Sequence, residues 1–318
     1  MNILKNKFSL LILSFFIFNQ ILFAQSEVVK ETYIFAIKEN DTLKLDKYHI
    51  PSNEIKPCLM FAFGGAFYTG TRDAKYYKEF YDFFAEQGFV VVAIDYRLGL
   101  KRLEGRDDIK VKEMLNIFEN TILMAVEDLY SATSYILQNK EEWKINPEQI
   151  IISGSSAGGI TVLQAEYELC NRSEITNILP KDFKYSGVIS FAGAIFSSKG
   201  HLKWNDIPAP IQMFHGDADK NVPFNRIKLG KYGFFGSKYI AKKYDKNNFP
   251  YYFYIAEDKD HAIAGTPMTD NYYEILTFIE KFIFEKQELK VNLTETPLNK
   301  EKIKKNFGIK DYIKSNFN

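Results

Sequence analysis

Ile150-Ile151-Ile152-Ser153-Gly154-Ser155-Ser156-Ala157-Gly158-Gly159 is the stretch on which the reading of this 318-residue chain turns. An apolar, β-branched run, residues 150–153, enters a turn of small residues, and a helix-like segment, residues 160–170, follows. Strand, tight turn and helix are the context that gives Gly-x-Ser-x-Gly a mechanical meaning. Such a turn sets its central residue, Ser156, on strained backbone at the start of the helix. Gly154 and Gly158, two residues to either side, let strand and helix approach. Ser156 rather than Ser155 therefore carries the exposed hydroxyl, and the N–H of Ala157 points to the same place. The plainer alternative is a small-residue turn without chemistry. It is disfavoured because partners for the serine follow in a meaningful order.

Working outward, residues 58–63 and 89–94 are short, continuously apolar strands. Between them Tyr76, Tyr77, Phe80, Phe83 and Phe84 recur at helical spacing within 74–87, and Gly88 ends that helix. Residues 185–191, 207–214 and 251–256 repeat the strand pattern, with helices expected over 226–246 and 271–285. Strands apolar on both faces and separated by helices predict an α/β fold: a mostly parallel central sheet with helices on both faces. Residues 31–38 and 42–50 predict an N-terminal hairpin, and 114–139 a long helix. Residues 99–113 are charged and aperiodic, and read as an excursion over the site. Residues 195–206 read as a loop. The helix expected over 226–246 is interrupted by Gly230, Gly233 and Gly236.

Hydrophobic residues at 46% and charged residues at 25% are the proportions of an ordinary globular protein, and the length suits one large α/β domain. The net charge of +1 offers no electrostatic footprint for nucleic acid. Residues 1–24 read as a secretory signal peptide: Lys5 and Lys7, an apolar run over 8–18, and Ala24 before Gln25. The alternative is an uncleaved anchor, since 8–24 is nearly long enough to span a bilayer. Cleavage predicts a secreted or periplasmic protein with no stable membrane insertion. The α/β domain is then expected over 25–285. Residues 286–318 read as a basic tail (Lys300, Lys302, Lys304, Lys305, Lys310, Lys314), a solvated surface loosely attached. Cys58 and Cys170 both sit in apolar segments and read as buried thiols. No metal-ligand, dinucleotide or phosphate-loop pattern is present, so neither cofactor nor metal is expected.

A serine nucleophile needs a base and a carboxylate to orient that base. The chain has four histidines: His49, His201, His215 and His261. In a parallel sheet, loops after strand C-termini gather on one edge, where sites form. His261 follows the strand at 251–256 and is the expected base, with His201 the alternative. Asp219 follows the strand ending at His215 and is the expected carboxylate, with Asp217 the alternative. Asp260 adjoins His261 but points away along extended chain, so a local turn role is expected. An oxyanion hole is expected from the N–H groups of Gly65, Ala66 and Ala157.

The set Gly64-Gly65-Ala66-Phe67 with Gly70, Asp95-Tyr96-Arg97-Leu98, Asn146-Pro147, Gly154 to Gly159, His215-Gly216-Asp217-Ala218-Asp219 with Val222-Pro223, and His261 is specific as an ordered whole. It resembles carboxylesterases of the α/β-hydrolase superfamily, in the branch of hormone-sensitive-lipase-like and bacterial feruloyl or acetyl-xylan esterase-like proteins. The resemblance spans about residues 55–285. It implies the α/β-hydrolase fold with cap insertions, the Ser156–Asp219–His261 triad, and hydrolysis of short-chain acyl esters, glycan-linked ones among them. Asp95 and Arg97 are implied to brace the oxyanion loop. One departure stands out: Phe63 occupies the place where the family loop usually has a histidine.

Two other readings remain. A serine exopeptidase on the same fold needs a charged anchor for a peptide terminus. A non-catalytic binding protein would retain the fold and lose a triad member, and none is lost. Transfer to an alcohol instead of water is not separable by sequence, and oligomeric state is left open.

Overall fold

The computed structural model describes residues 27–105, 110–299, 303–308, 311–312 and 315. The expected signal peptide, and residues 106–109 of the expected excursion, lie outside the described residues.

Nine strands form one sheet: β1 (Val29–Lys38), β2 (Asp41–His49), β3 (Lys56–Ala62), β4 (Val90–Ile94), β5 (Ile145–Ser155), β6 (Gly187–Phe191), β8 (Ile211–Gly216), β11 (Tyr251–Ala256) and β12 (Lys290–Glu295). Their spatial order is β1-β2-β4-β3-β5-β6-β8-β11-β12. The β1–β2 and β2–β4 pairings are antiparallel, and every pairing from β4 to β12 is parallel. All residues of β4, β6 and β8 are buried, as expected for strands covered on both faces.

The covering helices are α1 (Lys78–Glu86), α2 (Val111–Trp143), α3 (Ala157–Asn171), α4 (Ser237–Lys246) and α5 (Tyr272–Phe278). In α2, Ile122, Ala125, Val126, Leu129, Ala132, Thr133 and Ile136 are buried, the spacing of one helical face. The helix outruns the expected 114–139 at both ends and stops at Lys144, whose φ of 54° is left-handed. Helix α3 is buried nearly all round, so it lies inside the molecule behind the central strand β5.

Three expectations are corrected. Residues 195–206 are not simply a loop, because Ala194–Ser197 forms strand β7. Residues 226–236 are not helical. They make β9 (Arg226–Leu229) and β10 (Tyr232–Gly236), a hairpin that pairs with β7 in a separate three-stranded sheet. Tyr232 pairs with Leu229, leaving Gly230-Lys231 as a two-residue turn; Gly230, at φ 59°, takes its left-handed position. Glycines that look like helix interruptions are thus hairpin punctuation, and only Ser237–Lys246 is helix. The third correction concerns the tail: β12 lies within 286–318 and pairs in parallel with all of β11. It is an edge strand in which only Val291 and Leu293 are partly sheltered, a polar alternation too sparse to stand out.

The small sheet is the insertion that the fold carries. Phe196 of β7 and Phe234 of β10 meet Phe118 of α2 edge-to-face, at 5.6 and 5.5 Å between ring centroids. Phe118 in turn meets Phe67, 6.2 Å away, at the end of the glycine loop after β3. Both cysteines are buried and unbridged.

Candidate active site

Strand β5 ends at Ser155 and α3 begins at Ala157, so Ser156 alone makes the turn. Its φ of 51° and ψ of −112° lie outside the helical and extended regions, a strained conformation that the surroundings hold in place. Ser156 N–H donates to Phe191 O (2.8 Å), and Ile160 N–H donates to Ser156 O (2.8 Å). The flanking glycines are a packing necessity. A Cβ on Gly158 would stand 2.0 Å from Ala62 O, and one on Gly154 would stand 2.4 Å from the Gly158 carbonyl.

Ser156 Oγ lies 2.8 Å from His261 Nε2, and His261 Nδ1 lies 2.7 Å from Asp219 Oδ2. The three expected side chains are one hydrogen-bonded chain, brought together from the C-terminal ends of β5, β8 and β11. With Asp219 accepting at Nδ1, the imidazole carries its proton there and presents a basic Nε2 to the serine. Asp219 is fully buried. Burial alone would raise its pKa. Hydrogen bonds from His215 and His261, with the charges of those rings, outweigh burial and hold the carboxyl well below its ordinary range. Its other oxygen, Oδ1, accepts the N–H groups of Asn221 (2.8 Å) and Val222 (3.0 Å).

The alternatives fall elsewhere. His201 is exposed, its ring 2.9 Å from Lys199 O. His49 pairs with Glu31 on the far strands. Asp217 accepts the N–H of Asp258 (2.7 Å), and Asp260 accepts that of Ala262 (3.0 Å), the expected turn role. His215 was legible only as the end of a buried strand. Its ring is fully buried, with Nε2 3.4 Å from Asp219 Oδ2 and Nδ1 2.8 Å from Ser237 Oγ.

The loop after β3 abuts Ser156: a Cβ on Gly64 would stand 3.3 Å from Ser156 Cβ. Gly65, Ala66 and Phe67 follow one another with positive φ (142°, 55° and 58°). Among the described residues none accepts a hydrogen bond from the Gly65 or Ala66 N–H, whereas Gly65 O accepts from both Tyr68 and Thr69. Ala157 is the first residue of α3, so its N–H has no acceptor within the helix.

Phe63 explains how the loop stands without a histidine. Its ring stacks on Tyr96, 4.4 Å between centroids and 21° between planes. Tyr96 O–H donates to Phe63 O (2.7 Å), and Tyr77 Oη accepts the Gly64 N–H (2.9 Å). Two tyrosines and one aromatic stack brace the loop. Of the two charged residues expected to support it, Asp95 does so through Arg72 (2.8 Å), just beyond Gly70. Arg97 does not; its guanidinium is bidentate on the buried Asp128 of α2, at 2.8–3.1 Å. Among the described residues no group of three or more His, Cys, Asp or Glu is arranged to hold a metal ion.

Comparison with solved structures finds the same architecture in esterase 2 of Thermogutta terrifontis. Its tabun-treated form is 22% identical, covers 83% of this chain and 97% of its own, and superposes with a TM-score of 0.58. The native form gives 21%, 82%, 93% and 0.57, and the propionate-bound form 22%, 83%, 96% and 0.57. This chain has the α/β-hydrolase fold. A profile of the carboxylesterase family matches residues 19–168. That match includes Gly64–Ala66 and Ser156. It stops before Asp219 and His261, whose placement rests on the geometry above. No curated protein matches the chain.

Proposed function

We propose that this α/β-hydrolase is an exported serine esterase that cleaves short-chain acyl esters through an acyl-enzyme. The observation that carries the proposal is the continuous chain Ser156 Oγ–His261 Nε2 (2.8 Å) and His261 Nδ1–Asp219 Oδ2 (2.7 Å). Ser156 attacks the ester carbonyl while His261 Nε2 takes its proton. Asp219 remains ionised, fixes the tautomer and stabilises the imidazolium. The N–H groups of Gly65, Ala66 and Ala157 receive the charge that develops on the carbonyl oxygen. His261 returns the proton to the leaving alcohol, then activates water, and water releases the acyl group.

A small acyl group is supported by the relative solved with propionate and with butyrate bound. Export rests on the leader-like residues 1–24, and acyl groups carried on glycans are the exported substrate class that fits it.

The test is hydrolysis of p-nitrophenyl esters from acetate to long acyl chains, by the mature protein and by Ser156→Ala. Turnover that falls with chain length and vanishes in the variant is expected. Turnover that survives Ser156→Ala removes the nucleophile assignment. A folded wild type inert on every ester points instead to an exopeptidase or a binding protein. Paraoxon adds a second readout, because a related esterase is phosphorylated by it. Covalent labelling of Ser156, seen by peptide mass, is expected here.

A further inference from the structure

Asp219 and His261 ride on two separate loops, one after β8 and one after β11. The loops are laced together. Asp258 N–H donates to Asp217 Oδ1 (2.7 Å), Ala218 N–H to Lys259 O (3.0 Å), and Asp217 N–H to Ala256 O (3.1 Å). There is no slack between them, since a Cβ on Gly216 would stand 2.2 Å from Lys259 O. Yet the facing side chains repel: Asp217 on one loop meets Glu257 and Asp258 on the other. Asp258 is also held at a left-handed φ of 61°, which costs energy for a non-glycine residue.

Lys305, from the C-terminal segment, places its ammonium among these carboxylates. Nζ lies 2.8 Å from Asp217 Oδ2, 2.6 Å from Asp258 Oδ1 and 3.5 Å from Glu257 Oε1. The side chains of Asp217 and Asp258 are only 15% and 8% exposed, so water screens them poorly. That separates this cluster from an ordinary surface ion pair. The same segment touches the acid loop twice more. Tyr312 O–H donates to Asp219 O (3.3 Å), and Ser315 Oγ lies 3.0 Å from Asn221 Oδ1. Asn221 in turn gives its N–H to Asp219 Oδ1.

We propose that Lys305 is a positioning residue for the triad. By offsetting the repulsion among Asp217, Glu257 and Asp258 it fixes the acid loop against the base loop, and so holds His261 over Ser156. It touches no substrate and acts only through the two loops. The proposal rests on the serine-esterase reading of the site.

The test compares Lys305→Ala, Lys305→Arg and Lys305→Ala/Asp217→Asn, with kcat expressed per site titrated by paraoxon, so that unfolded protein is not counted. Misplacing a catalytic group by about 1 Å costs up to ~100-fold, so Lys305→Ala is expected to lose about 5- to 50-fold in kcat, with KM within about twofold. Lys305→Arg keeps the charge and restores kcat to within about threefold. Asp217→Asn keeps the acceptor for Asp258 N–H and removes one repelling charge, so it recovers part of the loss in the Lys305→Ala background. A lower melting temperature with kcat per site unchanged shows a mere anchor and overturns the proposal. So does an arginine variant as slow as the alanine one. Should Lys305→Ala not fold, Lys305→Gln is read on the same scale, and a loss under about twofold overturns the proposal equally. Failure of the esterase reading looks different: the folded wild type would then be inert on every ester, or activity would survive Ser156→Ala.

Discussion

His215 Nε2 lies 3.4 Å from Asp219 Oδ2, the carboxylate oxygen that also binds His261. One acid is held by two imidazoles, of which only one reaches the serine. His215 is fixed on its other side by Ser237 Oγ, 2.8 Å from Nδ1, and Nε2 is also 3.3 Å from Val222 O. Replacing it leaves a cavity and unpaired groups beside the acid. His215→Ala is expected to cost about 2–4 kcal/mol of stability and about tenfold in kcat. Denaturant unfolding and ester kinetics on the folded fraction check this; wild-type kcat would show that the ring only fills space.

The proposed Ser156–His261–Asp219 triad predicts losses that do not add. Ser156→Ala and His261→Ala should each lower kcat about 10⁴- to 10⁶-fold, Asp219→Asn about 10²- to 10⁴-fold, and the triple variant little more than the worst single one. Steady-state kinetics on one short ester measures all four. Additive losses would mean that the three residues act separately.

Tyr77→Phe removes the oxygen that accepts the Gly64 N–H and leaves the ring packed on Phe61, 4.7 Å between centroids. The loop next to Ser156 loses a tether without a cavity. We expect kcat to fall about 3- to 30-fold while KM changes little, since the oxyanion donors matter mainly in the transition state. An increase in KM alone would place Tyr77 in substrate binding instead.

Glu166 in α3 gives a pH dependence of stability independent of catalysis. It is buried; Oε1 accepts the N–H of Ala209 (2.8 Å) and lies 3.3 Å from Cys170 Sγ, while Oε2 has no hydrogen-bond partner among the described residues. Burial pushes its pKa up to about 7. A carboxyl with a raised folded pKa favours the folded state below its unfolded pKa, and that contribution is lost as pH rises through about 7. Glu166→Gln should match wild type at pH 5 and exceed it at pH 8 by about 1–3 kcal/mol, a few degrees in melting temperature. Thermal unfolding at both pH values checks the sign.

The site was legible in the sequence because its chemistry is local to strand ends. The Ser156 turn, Asp219 and His261 each follow an apolar strand in a recognisable order, and a parallel sheet gathers such ends. What could not be read depends on pairings between distant residues. The Gly230 turn resembles a broken helix until β7 supplies the third strand, Ser197 pairing with Gly233 far along the chain. Arg97 reads as a loop brace until Asp128 appears within reach on α2. His215 looks like the end of a strand because nothing along the chain places its ring against Asp219. Phe63 looks like a defect until Tyr77 and Tyr96 are seen to take over the missing hydrogen bonds.

Strand β12 has a consequence for the behaviour of the chain outside catalysis. It shields the backbone edge of β11, whose Tyr251-Tyr252-Phe253-Tyr254-Ile255-Ala256 is aromatic, uncharged and free of proline. Remove the chain after Glu285, or nick it between Glu285 and Lys290, and that edge becomes a template for other strands. The outermost strand of the sheet, polar and easily dismissed, thereby serves as the molecule's guard against self-association.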